Sequence, residues 1–160
     1  MDNQQERLFE LGWLVAMIEG EGNISLTWSK KKSNKFIQMA PRVQISNNDI
    51  LVIEKAKKII NDFGVGCYMN YHKKTYHLSV CGMKRTNALL EIIKDHMLGK
   101  KSRAELLFEY TGYRLETKNA PYTNTDKEYF LKMRQLNNKG IVPDENLKLL
   151  FEIESSTTTR

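Results

Sequence analysis

Leu14-Val-Ala-Met-Ile-Glu-Gly-Glu-Gly22 is an apolar helical run that ends in two carboxylates separated by glycines. Glu19 and Glu21 then sit at a helix C-terminus, where the macrodipole already presents partial negative charge. Anions placed there cost free energy unless a cation or a proton compensates. For oxygen ligands a divalent metal is the natural compensator.

Upstream, Leu8, Phe9, Leu11, Trp13, Leu14, Val15, Met17 and Ile18 make the helix apolar on most sides. Gly12, Ala16 and Gly20 recur every fourth residue and draw a smooth stripe along it. A glycine inside a helix costs about 1 kcal/mol relative to alanine. Two on one face therefore point to a close helix–helix contact, since small residues let backbones approach.

Downstream, Ile24, Leu26 and Trp28 alternate with Ser25, Thr27 and Ser29, the period of a half-buried strand. A basic loop through Lys30, Lys31, Lys32 and Lys35 leads to a second strand. There Ile37, Met39, Val43 and Ile45 alternate with Gln38, Arg42 and Gln44. Pro41 within that strand argues for an edge position or a bulge. Asn47-Asn-Asp49 offers N-caps for a helix through Val52, Ile53, Ala56, Ile59, Ile60 and Phe63. Strands follow near 67–72 and 75–81. Thr86-Asn87 is expected to cap a helix running to Gly99, and residues 100–116 to form another. Two short helices are expected near 126–136 and 144–153.

This order predicts an α+β fold: an αββαββα core with a four-stranded antiparallel sheet, helices on one face, and extra C-terminal helices. One domain is expected over residues 1–154, its core at about 8–116, with a flexible tail at 155–160.

The 160 residues carry 25 Lys and Arg against 19 Asp and Glu, a net charge of +6. That balance suits a polyanionic partner. No apolar run approaches the ~18 residues of a membrane span, and the N-terminal MDNQQER is no signal peptide. Two cysteines imply no disulfide framework. A soluble intracellular protein is expected. The outward positions Ser25, Thr27, Ser29, Gln38, Arg42 and Gln44 hold hydrogen-bonding groups, and no acid occurs between Asn23 and Asn48. Gln, Asn, Arg and Ser read base edges, and Lys at the margin suits phosphates. Thr75, His77 and Ser79 extend this face. The third strand presents either Tyr68, Asn70 and His72 or Cys67, Met69 and Tyr71. Lys73-Lys74 is either solvated charge or a phosphate contact. Cys67, His72, His77 and Cys81 interleave along a hairpin, unlike the tight ligand pairs of structural zinc sites. His96 reads as a packed core or interface residue.

Trp13-Leu-Val-Ala-Met-Ile-Glu-Gly-Glu-Gly22 resembles the signature helix of the LAGLIDADG homing endonucleases, and the element order resembles their core, with its saddle-shaped sheet. The resemblance implies a site-specific DNA endonuclease that makes metal-dependent double-strand cuts in a long, partly palindromic target. Only one copy of the motif is present, and single-motif members act as homodimers. The contact would then involve Gly12, Trp13, Ala16, Glu19 and Gly20. By the same analogy Glu21 is the catalytic metal ligand for Mg²⁺, with Mn²⁺ able to substitute and the Gly20 carbonyl a further oxygen. Glu19 matches the first acid of the motif, which caps or supports the partner helix rather than binding metal. Asn47 matches a water-ordering position that is usually Gln. Lys100 and Lys101 both match a basic residue near the scissile phosphate. Lys139 matches a backbone-phosphate contact. The resemblance implies an intron-encoded protein of a prokaryotic cytoplasm or nucleoid, or of an organelle matrix. Its alternative is a maturase binding intron RNA, or a non-cleaving nucleic-acid-binding protein.

Overall fold

A computed structural model describes residues 2–30, 37–118 and 120–137. Helix α1 (Asn3–Glu21) starts where the Asp2 carboxylate accepts the backbone N–H groups of Gln4 (3.0 Å) and Gln5 (2.8 Å). It ends at Gly22, where the chain turns at once into strand. A Cβ on Gly22 would lie 2.5 Å from the Ile18 carbonyl oxygen, so only glycine permits this junction.

Strand β1 (Gly22–Lys30) pairs with β2 (Ile37–Asn47) in a continuous antiparallel register from Gly22–Ile45 to Lys30–Ile37. Helix α2 (Ile50–Asp62) follows, its N-terminus capped by Asp49, and leads to β3 (Tyr68–His72) and β4 (Thr75–Cys81). The sheet order is β1-β2-β4-β3. Helices α3 (Met83–Ile93), α4 (Lys101–Thr117) and α5 (Asn124–Leu136) complete the described chain. The αββαββα order and the four-stranded antiparallel sheet are as expected.

The register assigns the faces. Ile24, Leu26, Val43, Ile45, Leu78 and Val80 are buried on one side with Leu14, Val15 and Ile18 of α1, Ile53, Ile59 and Ile60 of α2, and Leu89, Leu90, Ala104 and Leu107 of α3 and α4. Met69 pairs with Leu78 on that side. Tyr68, Asn70 and His72 therefore take the other, which resolves the phase of the third strand.

Several expectations shift. Helix α3 begins at Met83, with Gly82 (φ 88°) as its N-cap, rather than at Thr86-Asn87. Thr86 is buried within the helix, and the Asn87 amide donates to the Phe108 carbonyl (3.3 Å) and Thr111 hydroxyl (3.0 Å) of α4. Asn87 thus serves a helix–helix contact rather than a helix start, while the Thr86 hydroxyl is buried without a hydrogen-bond partner among the described residues. The helix stops at Ile93, and a single 3₁₀ turn carries His96, which is exposed rather than packed in the core. Strand β2 is internal from Arg42 to Asn47. Pro41 lies one residue past the last β2–β4 pair, where β2 has only β1 beside it, and no bulge interrupts the ladder.

The α4–α5 connection closes that open end. The backbone N–H of Met39 donates to the Tyr122 hydroxyl (3.0 Å). Asp126, fully buried, accepts from the Tyr110 hydroxyl (3.2 Å) and from the N–H of Thr123 (2.8 Å), and faces Arg114 at 3.4 Å. Burial and the Asp126 charge push the Tyr110 hydroxyl pKa far above its ordinary value. At the far end of α5, the Asn137 amide donates to the Ile24 carbonyl (3.2 Å) on the free edge of β1. The helix expected near 144–153, the tail, and Lys31, Lys32, Lys35 and Lys139 lie outside the described residues.

Candidate nucleic-acid and metal site

Two acids leave α1, and the fold treats them differently. The Glu19 carboxylate accepts backbone N–H groups from Leu98 (2.7 Å) and Lys100 (3.2 Å), so its charge is held within the chain. Glu21 is exposed, and no hydrogen bond or ion pair to its side chain occurs among the described residues. It carries the one uncommitted anion at the end of the motif.

The compensating cation at this helix end is internal. The Lys100 ammonium donates to the carbonyls of Ile18 (2.8 Å), Glu19 (2.6 Å) and Gly22 (2.7 Å). An ammonium has three N–H donors, and here each has a carbonyl. The Gly20 carbonyl, unlike its neighbours, receives no bond from Lys100. Burial lowers the Lys100 pKa from its ordinary value; Glu19 and Glu21 pull it back up and Arg103 pushes it further down. Lys101, the other candidate, keeps a half-exposed side chain 3.9 Å from Glu105. The pair that the sequence leaves equivalent thus divides into one cation spent on the motif turn and one open to solvent.

Asn47 pairs with Tyr76 at the end of the β2–β4 ladder, and its side-chain Oδ1 accepts the Asp49 N–H (2.8 Å) at the turn into α2. The residue on the outward face is Ser46, absent from the expected set although it continues the period-two series Gln38, Arg42, Gln44. Asn23 and Tyr68 join that face in the same way.

The outward face forms cross-strand rows: Asn23–Gln44–Ser79–Tyr68, Ser25–Arg42–Cys81 and Ser46–His77–Asn70. Thr27 and Ser29 beside Gln38 extend it toward Lys30, and His72 and Thr75 toward Lys73. Ser25 and Ser79 are buried, while Thr27, Ser29, Gln38, Asn70 and His72 are exposed. No strand of the sheet contains a carboxylate. Such a face offers donors and acceptors without repelling an anion.

Of the residues expected at a subunit contact, Gly12, Ala16 and Gly20 lie exposed along α1, and a Cβ at Gly12 or Gly20 would meet nothing within 4 Å. Leu8 (61% exposed) and Phe9 (62%) lie on the open side of the same helix. Trp13 is half-buried under the Lys55 ammonium, 4.6 Å from the ring centre. Glu19 is committed as above.

A divalent cation needs more ligands than these. Among the described residues no group of three or more His, Cys, Asp or Glu side chains could hold a metal. One exposed carboxylate beside the Gly20 carbonyl suits Mg²⁺, which keeps several waters and takes one or two carboxylates together with substrate phosphates. No helix of the described residues is long and apolar enough to cross a membrane.

Residues 14–111 match the family model described as LAGLIDADG endonuclease. The chain belongs to that family. No curated protein matches it in sequence. The fold is shared with solved homing endonucleases. These include I-CvuI in complex with the I-CreI target (12% identity, TM-score 0.69, 93% of this chain and 97% of that one). The archaeal intron-encoded I-Vdi141I complexed with DNA is another (18%, 0.71, 90% and 96%). I-GzeII in complex with its DNA target matches over 86% of this chain but 48% of its own (18%, 0.68).

Proposed function

We propose that this chain is a site-specific DNA endonuclease that acts as a homodimer and cuts both strands of a long, partly palindromic duplex with the aid of Mg²⁺. The observation that carries the reading is the uncommitted Glu21 carboxylate, set at the end of an open small-residue helix and beside a carboxylate-free sheet face. One chain offers half of what the reaction needs. Two chains packed along Gly12, Ala16 and Gly20 would bring two Glu21 side chains together and extend two sheets along one duplex. Coverage supports this: the chain spans nearly all of I-CvuI and about half of I-GzeII.

Glu21 and the Gly20 carbonyl would hold a divalent cation, which when bound would lower the pKa of a water and offset charge on the phosphoryl oxygens. The chain's own residues do the rest. Glu19 and Lys100 clamp the turn so that Glu21 projects from a fixed backbone. Lys100 is a positioning residue, and Lys101 is the ammonium left to offset phosphate charge. Thr27, Ser29, Gln38, Arg42, Asn70, His72 and Thr75 face the bases, with Lys73 toward the backbone phosphates. Ser25 and Ser79, expected on this face, are too buried to reach a base, and His77 is bonded to Gln44 and Ser46. The DNA complexes of I-CvuI and I-Vdi141I support this assignment.

The test uses a supercoiled plasmid library carrying candidate insertion sites. The wild-type chain is expected to linearise a subset with Mg²⁺ or Mn²⁺ and none with EDTA. Glu21→Gln is expected to bind the same duplexes without cutting them. Normal cleavage by Glu21→Gln would overturn the assignment, and intron RNA binding without DNA cleavage would establish the maturase alternative.

A further inference from the structure

At the centre of the outward face, four side chains form one hydrogen-bonded chain. The Arg42 guanidinium donates to the Gln44 carbonyl oxygen (3.5 Å), and the Gln44 amide nitrogen donates to Ser46 Oγ (3.2 Å). The same amide meets His77 Nδ1 at 3.0 Å, and Ser46 Oγ meets that nitrogen at 2.7 Å. A free glutamine reads adenine by offering one donor and one acceptor together. Gln44 spends both within the protein. Arg42 is the reverse case: its Nε is buried with no hydrogen-bond partner, and no carboxylate lies within ion-pair distance of it among the described residues.

Buried Ser25 pairs with Arg42 across the β1–β2 ladder, so Arg42 has a small neighbour and sits on a central strand. When a β-ribbon enters the major groove, base edges face its middle and phosphates face its margins. Guanine presents two acceptors there, O6 and N7, which match the guanidinium fork.

Building on the endonuclease reading, we infer that Arg42 reads a guanine in each half-site and that Gln44, held by Ser46 and His77, positions Arg42 rather than reading a base itself. The geometry thereby separates two residues that the strand period makes look alike.

The test captures duplexes from a randomised library in EDTA, where nothing is cut, and sequences what is bound. The wild-type chain should enrich guanine at one position of each half-site. Arg42→Ala should lose that preference alone, binding the selected duplex about 10- to 100-fold more weakly. Arg42→Lys, which keeps the charge without the fork, should weaken the guanine preference at that position without abolishing duplex binding, and guards against misfolding of the alanine variant. Gln44→Ala should weaken the preference at that same position and leave the other positions unchanged. A change at a neighbouring position in Gln44→Ala, with the guanine intact, would make Gln44 a reader and overturn the inference. Uniform weakening by Arg42→Ala across all sequences, with a salt slope reduced by about 1, would make Arg42 a phosphate contact and overturn it equally. If the wild type enriches no sequence and binds no duplex, the endonuclease reading itself fails.

Discussion

Glu19 and Glu21 are the same residue type two positions apart, and their roles diverge because of what lies opposite each. Glu19 meets the N–H groups of Leu98 and Lys100, whereas Glu21 meets solvent. The helix dipole calls for a cation at this end, and one is present in Lys100, about 80 residues away in sequence. No periodicity or motif spacing shows that contact, because it depends on how α3 and α4 fold back on α1. Hydrogen bonds from a charged donor contribute about 1.5–3 kcal/mol. Lys100→Met is therefore expected to lower the unfolding free energy by about 1–3 kcal/mol. Lys101→Met should stay within about 0.5 kcal/mol, as exposed substitutions do. Urea denaturation of both variants measures this. Cleavage should fall in both, in Lys101→Met without loss of stability.

At the scale of elements, the β3–β4 turn carries a strain that the sequence does not reveal. His72 pairs with Thr75, so Lys73 and Lys74 form a two-residue loop, and both have positive φ (49° and 64°). Hairpins of this kind favour Asn-Gly, because a side chain in the left-handed region costs about 1–2 kcal/mol per residue. Two lysines there gain nothing for the backbone conformation, which favours a phosphate contact over plain solvated charge. Replacing them by Asn-Gly should raise the melting temperature. It should also weaken DNA binding and reduce the salt slope by about 1 for each phosphate left without its lysine. Thermal denaturation and a salt series of affinities give the two readouts. Helices and strands are otherwise legible in the sequence wherever one face is buried, as in β1 and α2. The start of α3 is not, since Thr86 and Asn87 resemble caps, but Thr86 is buried within the helix and Asn87 bonds α4. Nor is the β1-β2-β4-β3 order, because alternation marks a strand's faces without naming its neighbours. Only pairing with β4 places Met69 inward and Asn70 outward.

The whole molecule follows from an unfilled surface. Helix α1 buries Leu14, Val15 and Ile18 but leaves Leu8, Phe9, Gly12, Ala16 and Gly20 open. Two glycines in a helix, each costing about 1 kcal/mol relative to alanine, are unexplained by contacts within one chain, where a Cβ would meet nothing. Under the proposed function, a second copy packed on this stripe supplies the reason. Gly12→Glu should accordingly leave the monomer as stable as before, or slightly more so through better helix propensity, while sedimentation velocity shows the dimer abolished. The stripe is legible in the sequence; its openness depends on how the other side of the helix packs.

The most direct test co-expresses wild-type and Glu21→Gln chains under two affinity tags and isolates the species carrying both. Given a supercoiled plasmid bearing a selected duplex, that mixed dimer should convert it to nicked circles, one strand being cut at the single intact Glu21. Full linearisation at the wild-type rate, or recovery of no doubly tagged species, would contradict a shared two-chain site.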